Sequence, residues 1–127
     1  MITCAMCDDE LPFAEQLRSL VMAYAKKKRV ELQAETFASA EELLEEIENG
    51  AGFEILFLDI EMRKMDGIEL GKKLRERSYQ TLIIYVSGYD QYMRQLFEAE
   101  PFRFLSKPLK QEELENVLDK AFERISR

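Results

Sequence analysis

The sequence predicts an α/β fold, a doubly wound five-stranded parallel sheet with helices on both faces, and two observations carry that expectation. Apolar runs alternate with amphipathic helical patterns from end to end, giving five β-α units in 127 residues. The middle run, Ile55-Leu56-Phe57-Leu58, is apolar without interruption, as a parallel strand covered by helices on both faces has to be. The length suits one domain, residues 1–127, with a real core; a second domain would lie outside this sequence.

The first run, Ile2 to Cys7, stops at three acids and reads as a strand. Phe13, Leu17, Leu20, Val21 and Tyr24 then recur at helical spacing to about Lys27. From Val30 to Thr36, apolar Val30, Leu32 and Ala34 alternate with Glu31, Gln33 and Glu35, the pattern of an edge strand wetted on one side. Ser39 is placed to cap a helix whose buried stripe is Leu43, Leu44 and Ile47 and which stops near Gly50. After the third strand, a turn through Met65-Asp66-Gly67 leads into a helix to about Arg77. In that turn Gly67 reads as a residue free to take positive φ and Asp66 as the cap. Leu82 to Val86 is the fourth strand and ends at Ser87. A short helix is expected from about Asp90 to Ala99, then a fifth strand over Phe102 to Leu105, closed by Lys107-Pro108. Leu114, Val117, Leu118, Ala121, Phe122 and Ile125 mark a final helix.

Composition excludes several functions. With 18 Lys+Arg against 25 Asp+Glu, a net charge of −7 offers no basic footprint, so this domain itself is expected to bind no nucleic acid. The one basic cluster, Lys26-Lys27-Lys28-Arg29, falls at a helix end, where it complements the dipole. No apolar run reaches the roughly 18 residues of a membrane span and no signal segment opens the chain, so no membrane association and a cytoplasmic location are expected. There is no His, which removes imidazole as base, ligand and phosphoryl carrier; histidine chemistry has to come from a partner. Cys4 and Cys7 form a Cys-x-x-Cys, but on a strand they point to opposite faces about 10 Å apart, too far for a disulfide, and read as small buried hydrophobes.

The ligand crevice of such a sheet lies outside the carboxyl ends of its strands. There the sequence places Asp8 and Asp9 after strand one, Asp59 after strand three, Ser87 after strand four and Lys107 after strand five. Three carboxylates on one crevice repel unless a cation joins them, and a hard divalent ion such as Mg²⁺, or Mn²⁺ in its place, suits oxygen ligands. Asp9 and Asp59 would bind it directly, Asp8 would hold a metal-bound water, and a backbone carbonyl just past Asp59, that of Glu61, would complete the set. Asp59 is then the nucleophile for a phosphoryl group, with Lys107 and Ser87 contacting the phosphoryl oxygens. Each residue has a structural alternative: Asp8-Asp9-Glu10 as acids at a helix N-terminus, Ser87 as a cap, Lys107 as a solvated loop lysine. Their conjunction on one edge is what favours a site.

In this order the residues resemble the receiver domain of two-component response regulators over essentially the whole chain. The acidic pair Asp8-Asp9, Asp59 with Met62 and Asp66-Gly67, Ser87 with Gly88, and Lys107-Pro108 match the motifs of that family. The resemblance implies a flavodoxin-like (βα)5 fold with strand order 2-1-3-4-5. It further implies Mg²⁺-dependent phosphorylation of Asp59 by a sensor histidine kinase, and a switch in which Ser87 and the strand-five aromatic Phe104 rearrange, with Phe102 as an ordinary core residue. A homodimer through the fourth helix, fifth strand and fifth helix is a family expectation too. Two departures stand out: Arg63 where receivers usually carry Pro, and Glu61, which with Tyr89 is expected to tune the phosphorylated state. The sequence style resembles receivers that precede a LytTR-type DNA-binding domain, so the stop at Arg127 reads as a chain cut after its last helix rather than a stand-alone receiver, and the output as transcription. Two other readings compete. A haloacid-dehalogenase-type Mg²⁺-dependent phosphatase would need a true D-x-D where Asp59-Ile60-Glu61 stands. A phosphorylation-independent interaction module would be expected to lack an acidic, acceptor or lysine position, and none is missing.

Overall fold

The computed structural model describes residues 1–88 and 99–126. Tyr89 and nearly all of the expected 90–99 helix lie outside the described residues. The elements are β1 (Ile2–Cys7), α1 (Leu11–Lys27), β2 (Leu32–Phe37), α2 (Ala40–Glu48), β3 (Ile55–Asp59), α3 (Gly67–Glu76), β4 (Leu82–Ser87), β5 (Arg103–Ser106) and α4 (Gln111–Ser126). All pairings are parallel and the sheet runs β2-β1-β3-β4-β5, the expected doubly wound, flavodoxin-like order.

Because side chains alternate along each strand, the sheet feeds two cores. Cys4, Met6, Ile55, Phe57, Ile84 and Val86 meet α1 and α4 through Leu17, Val21, Leu114 and Leu118. Ala5, Cys7, Leu56, Leu58, Ile83 and Tyr85 meet α2 and α3 through Leu43, Ile47, Leu70 and Leu74. Cys4 and Cys7 thus lie on opposite faces, both buried and free. Every residue of β3 is buried, and at about 1.5–3 kcal/mol for each large apolar side chain removed from water this central strand is firmly held as a mount for a reactive group.

Local signals behave as expected at most ends. Ser39 Oγ accepts the Glu42 N–H at 3.1 Å, and Asp66 Oδ1 accepts the Glu69 N–H at 2.8 Å, capping α2 and α3. Pro12 sits in the first turn of α1, where its missing N–H costs nothing, and Lys26 and Lys27 end that helix. Strand two starts later than its alternation predicts: Arg29 turns left-handed (φ 59°) and the Val30 N–H closes α1 on Ala25 O, so Val30 belongs to the turn. Strand five is shifted by one residue. Phe102 donates its N–H to Ile83 O but stays outside the strand, its ring lying between the guanidiniums of Arg103 and Arg124.

Where the described chain resumes, Arg75 secures it. Its guanidinium donates to the carbonyls of Ala99 (2.8 Å), Tyr79 (3.0 Å), Thr81 (3.0 Å) and Glu100 (2.9 Å), tying the end of α3 to the start of β4 and to the approach to β5. A planar fork with five donors can hold carbonyls from several segments at once.

Candidate functional site

The carboxyl edge of the sheet gathers the acids. The Asp8 N–H bonds Phe37 O at 3.0 Å, which extends the β1–β2 ladder by one residue and leaves the Asp8 side chain at the crevice. Asp8 and Asp59 are 3% and 6% exposed, Asp9 is open to solvent, and one carboxylate oxygen from each lies within 4.8 Å of the others. Lys107 arrives from the end of β5: its N–H donates to Ser87 O at 3.0 Å, and its Nζ bonds Asp8 Oδ2 at 2.8 Å and pairs with Asp59 Oδ1 at 3.5 Å. The ammonium also sits 4.3 Å from the centre of the Phe13 ring, a cation–π contact from the first turn of α1. The Lys107-Pro108 peptide is cis.

The loop after Asp59 is folded back onto it through Gly67. The Gly67 N–H donates to Ile60 O at 2.9 Å, and a Cβ on Gly67 would collide with the carbonyl oxygen of Asp59. The expectation that this glycine serves a positive φ is corrected here: among the described glycines only Gly50 has one, and Gly67 is needed for the close approach of two backbones. The left-handed residue of the loop is Lys64, at φ 60°. Glu61 and Arg63 are exposed, while Met62 is buried and accepts the Cys7 thiol at 3.6 Å. Glu41 on α2 accepts the Met65 N–H at 2.9 Å, which holds its carboxyl below its usual range and ties the loop to the neighbouring helix.

The electrostatics follow from burial. Loss of solvent, then the charge of Asp8, push the Asp59 carboxyl up to about 7 against a usual 3.8; the charge and hydrogen bond of Lys107 pull the other way without offsetting them, and Asp9 adds to the rise. Burial would lower the Lys107 ammonium, but its hydrogen bond to Asp8 and the charges of Asp59, Asp8 and Glu10 outweigh that and raise it. The Cys7 thiol is pushed up by burial first and by Asp8 and Asp59 after that, so it stays protonated and inert beside the site. A divalent cation fits this donor set. Octahedral ligands about 2.1 Å from Mg²⁺ lie roughly 3 Å apart when adjacent, so the three oxygens would close in on a bound ion, and the cation would relieve the repulsion from Asp8 and Asp9 that adds to the burial-driven Asp59 shift.

Of the sequence-derived residues, Asp8, Asp9, Asp59 and Lys107 converge directly. Ser87 ends β4, buried, in register with Ser106. Phe104 stands half-buried against the α2/α3-side core, opposite Tyr85 in the ladder. Glu61 lies two residues past Asp59 in the loop, and Tyr89 is outside the described residues. Two residues were missed. In the sequence Phe13 is one more member of a helical stripe; only the fold brings an ammonium onto its ring. In the sequence Tyr85 is one residue of an apolar strand, yet its hydroxyl donates to Gly67 O at 3.1 Å inside the core.

Comparison with known proteins agrees with this geometry. Residues 5–119 match the family model of the response regulator receiver domain. The chain is 28% identical over 125 residues to an uncharacterized response regulatory protein of Vibrio cholerae, covering 98% of this chain and 46% of that protein. It is 24% identical over 127 residues to the sensory transduction protein LytT of Bacillus subtilis, covering 100% and 50%. The chain thus spans about half the length of these curated relatives. Among solved structures, the response regulatory domain of mrkE from Klebsiella pneumoniae superposes with a TM-score of 0.86 at 18% identity, covering 97% of both chains. A two-component response regulator from Clostridium difficile gives 0.81 at 20% identity with 100% of both covered. At these identities the structural likeness speaks for the fold.

Proposed function

The chain belongs to the response regulator receiver domain family, and from that premise we propose that it is a signalling switch in which Asp59 accepts a phosphoryl group from a sensor histidine kinase. The observation that carries the reading is the meeting of the Asp8, Asp9 and Asp59 carboxylates within 4.8 Å, with Lys107 bonded to two of them. In this reading residues 1–127 act as a single receiver domain.

Asp8, Asp9 and Asp59, with the Glu61 carbonyl, are the groups to hold Mg²⁺, or Mn²⁺ in its place; the bound ion supplies charge neutralisation for the acids and for the incoming phosphoryl oxygens. Asp59 attacks as the carboxylate: one of its oxygens forms the new O–P bond in line as the N–P bond to the kinase's phosphohistidine breaks. The departing imidazole nitrogen keeps the bonding pair and takes up a proton. The donor imidazole has to be the kinase's, since this chain has no His. Lys107 contributes an ammonium already held at 3.5 Å from Asp59 and free to exchange its carboxylate contact for a phosphoryl oxygen. Ser87 offers a hydroxyl from the end of the adjacent strand.

The switch is assigned to Ser87 and Phe104, with Phe, lacking a hydroxyl, acting through packing alone; Glu61 and Tyr89 are assigned to tuning. Relatives that carry the names LytT and LytR support a transcriptional output through a separate LytTR-type DNA-binding domain. A homodimer through the fourth helix, fifth strand and fifth helix of the receiver is part of the same proposal. The test is intact mass after incubation with acetyl phosphate and Mg²⁺. One added phosphoryl group, absent with EDTA and absent in Asp59→Asn, is expected; modification that survives the substitution overturns the choice of acceptor, and sustained hydrolysis of phosphate esters overturns the switch.

A further inference from the structure

The alternation of β4 puts Ile83, Tyr85 and Ser87 on the α2/α3 side of the sheet, so Tyr85 stands directly beneath Ser87 and the site. Tyr85 is among the largest fully buried side chains. A phenylalanine would fill an apolar core as well, and a buried hydroxyl is costly unless bonded, so the oxygen calls for a reason. Its partner is Gly67 O at 3.1 Å. The protein also makes room for this bond: a Cβ on Gly71, one turn further along α3, would collide with the Tyr85 hydroxyl and would press on Ala99 Cβ as well.

Gly67 is the residue whose Cα is seated on the Asp59 carbonyl and whose N–H holds Ile60 O. One residue therefore separates the Tyr85 hydroxyl from the backbone that carries Asp59 and leads to the Glu61 carbonyl. Across the ladder Tyr85 pairs with Leu58 on β3 and Phe104 on β5, so its ring is fixed from both sides. Burial also pushes the phenol's pKa up, so the oxygen remains a donor.

Resting on the reading of Asp59 as phosphoacceptor, we infer that Tyr85 is a positioning residue for phosphoryl transfer: its hydroxyl locks the Gly67 turn, and the turn fixes the Asp59–Glu61 backbone from inside the core. Nucleophilic attack in line is sensitive to displacement, with ångström errors costing up to about a hundredfold, so loosening one hydrogen bond in this chain should slow the step by roughly five- to tenfold.

The experiment measures the rate of Asp59 phosphorylation by acetyl phosphate at saturating Mg²⁺, together with hydrogen exchange at the Gly67 and Ile60 amides. Tyr85→Phe is expected to lower the maximal rate by about that factor with little change in the donor concentration at half-maximum, and to speed exchange at Gly67. Val21→Ala, in the core on the other sheet face, is the control for general loss of stability and should keep the wild-type rate. A wild-type rate in Tyr85→Phe overturns the inference, as does an equal slowing in Val21→Ala. Should Tyr85→Phe fail to fold, Gly71→Ala displaces the same hydroxyl from the α3 side and is expected to slow the step likewise; an unchanged rate there overturns it. If the wild type takes up no phosphoryl group, the reading of Asp59 fails and the inference with it, a result distinct from a wild-type protein that reacts and a Tyr85→Phe protein that reacts equally well.

Discussion

Asp59→Asn should make the metal-free protein more stable, and only above a particular pH. Folding lifts the Asp59 carboxyl from a usual 3.8 to about 7, first through burial and then through the charge of Asp8. A carboxyl whose folded pKa is raised binds its proton more tightly in the native state. Native stability then falls as pH rises from the unfolded value towards the folded one and levels off above it. At about 1.4 kcal/mol per pH unit the interval corresponds to roughly 4 kcal/mol, and solvent screening at the crevice mouth reduces this to about 2 kcal/mol. Asparagine keeps the shape and leaves Lys107 its bond to Asp8. The assay is urea unfolding followed by circular dichroism, with EDTA present, at about pH 8 and about pH 5. The chain has no His, so few other side chains change charge in that window. The variant should be more stable by about 2 kcal/mol at the higher pH and by less than half of that, about 0.8 kcal/mol, at the lower one. Mg²⁺ at a hundredfold excess over its Kd should then stabilise the wild type by about 2.7 kcal/mol and the variant by less, narrowing the gap. Equal gains at both pH values would refute the argument, because the benefit would then owe nothing to a buried charge.

Three further outcomes follow from single contacts. Gly67→Ala drives a Cβ into the Asp59 carbonyl and should cost at least about 2 kcal/mol in urea unfolding despite alanine's better helix propensity; a neutral or stabilising result would show that the turn gives way freely. Lys107→Met removes the charge and hydrogen bond that pull the Asp59 carboxyl down, so its titration, followed by ¹³C NMR of labelled aspartate without metal, should move above its wild-type midpoint, and an unmoved midpoint would mean the ammonium does not reach it. Thr81 Oγ1 is buried with no hydrogen-bond partner among the described residues, so Thr81→Val, of nearly the same shape, should stabilise by about 1 kcal/mol in the same unfolding assay, whereas a loss would reveal a partner.

What the sequence disclosed and what it withheld divide along a physical line. Strand identity, strand-end polarity and the Ser39 and Asp66 caps depend on neighbours within a few residues, and they were legible because periodicity and capping are local. The acids after β1 and β3 were legible for the same reason: an apolar run that stops at a carboxylate announces a strand emerging from the core. Gly67 was found but misread. A glycine before a helix is ordinarily explained by its dihedral freedom, whereas here it answers to the carbonyl of a residue eight positions earlier. Tyr85, Phe13 and Arg75 were not legible, because a hydroxyl, a ring face and a guanidinium acquire roles only from backbone or charges that other elements bring to them.

The same division bears on why the site tolerates its own electrostatics. The two cores lie on the faces of the sheet, and the acids lie on its edge, so apolar burial along β1, β3 and β4 stabilises the fold without requiring favourable charge pairing where the strands end. That separation lets Asp8 and Asp59 be held close and nearly dry, with one ammonium shared between them, a local arrangement that folding disfavours and that a bound cation would relieve. Tyr85 joins the two regions: its ring belongs to the α2/α3-side core, and its hydroxyl reaches the turn that supports the acid edge. A site whose charges favour moving apart stays in place only if its backbone is braced from a part of the molecule with stability to spare, and the bond from Tyr85 to Gly67 is where that bracing can be cut without touching a charge.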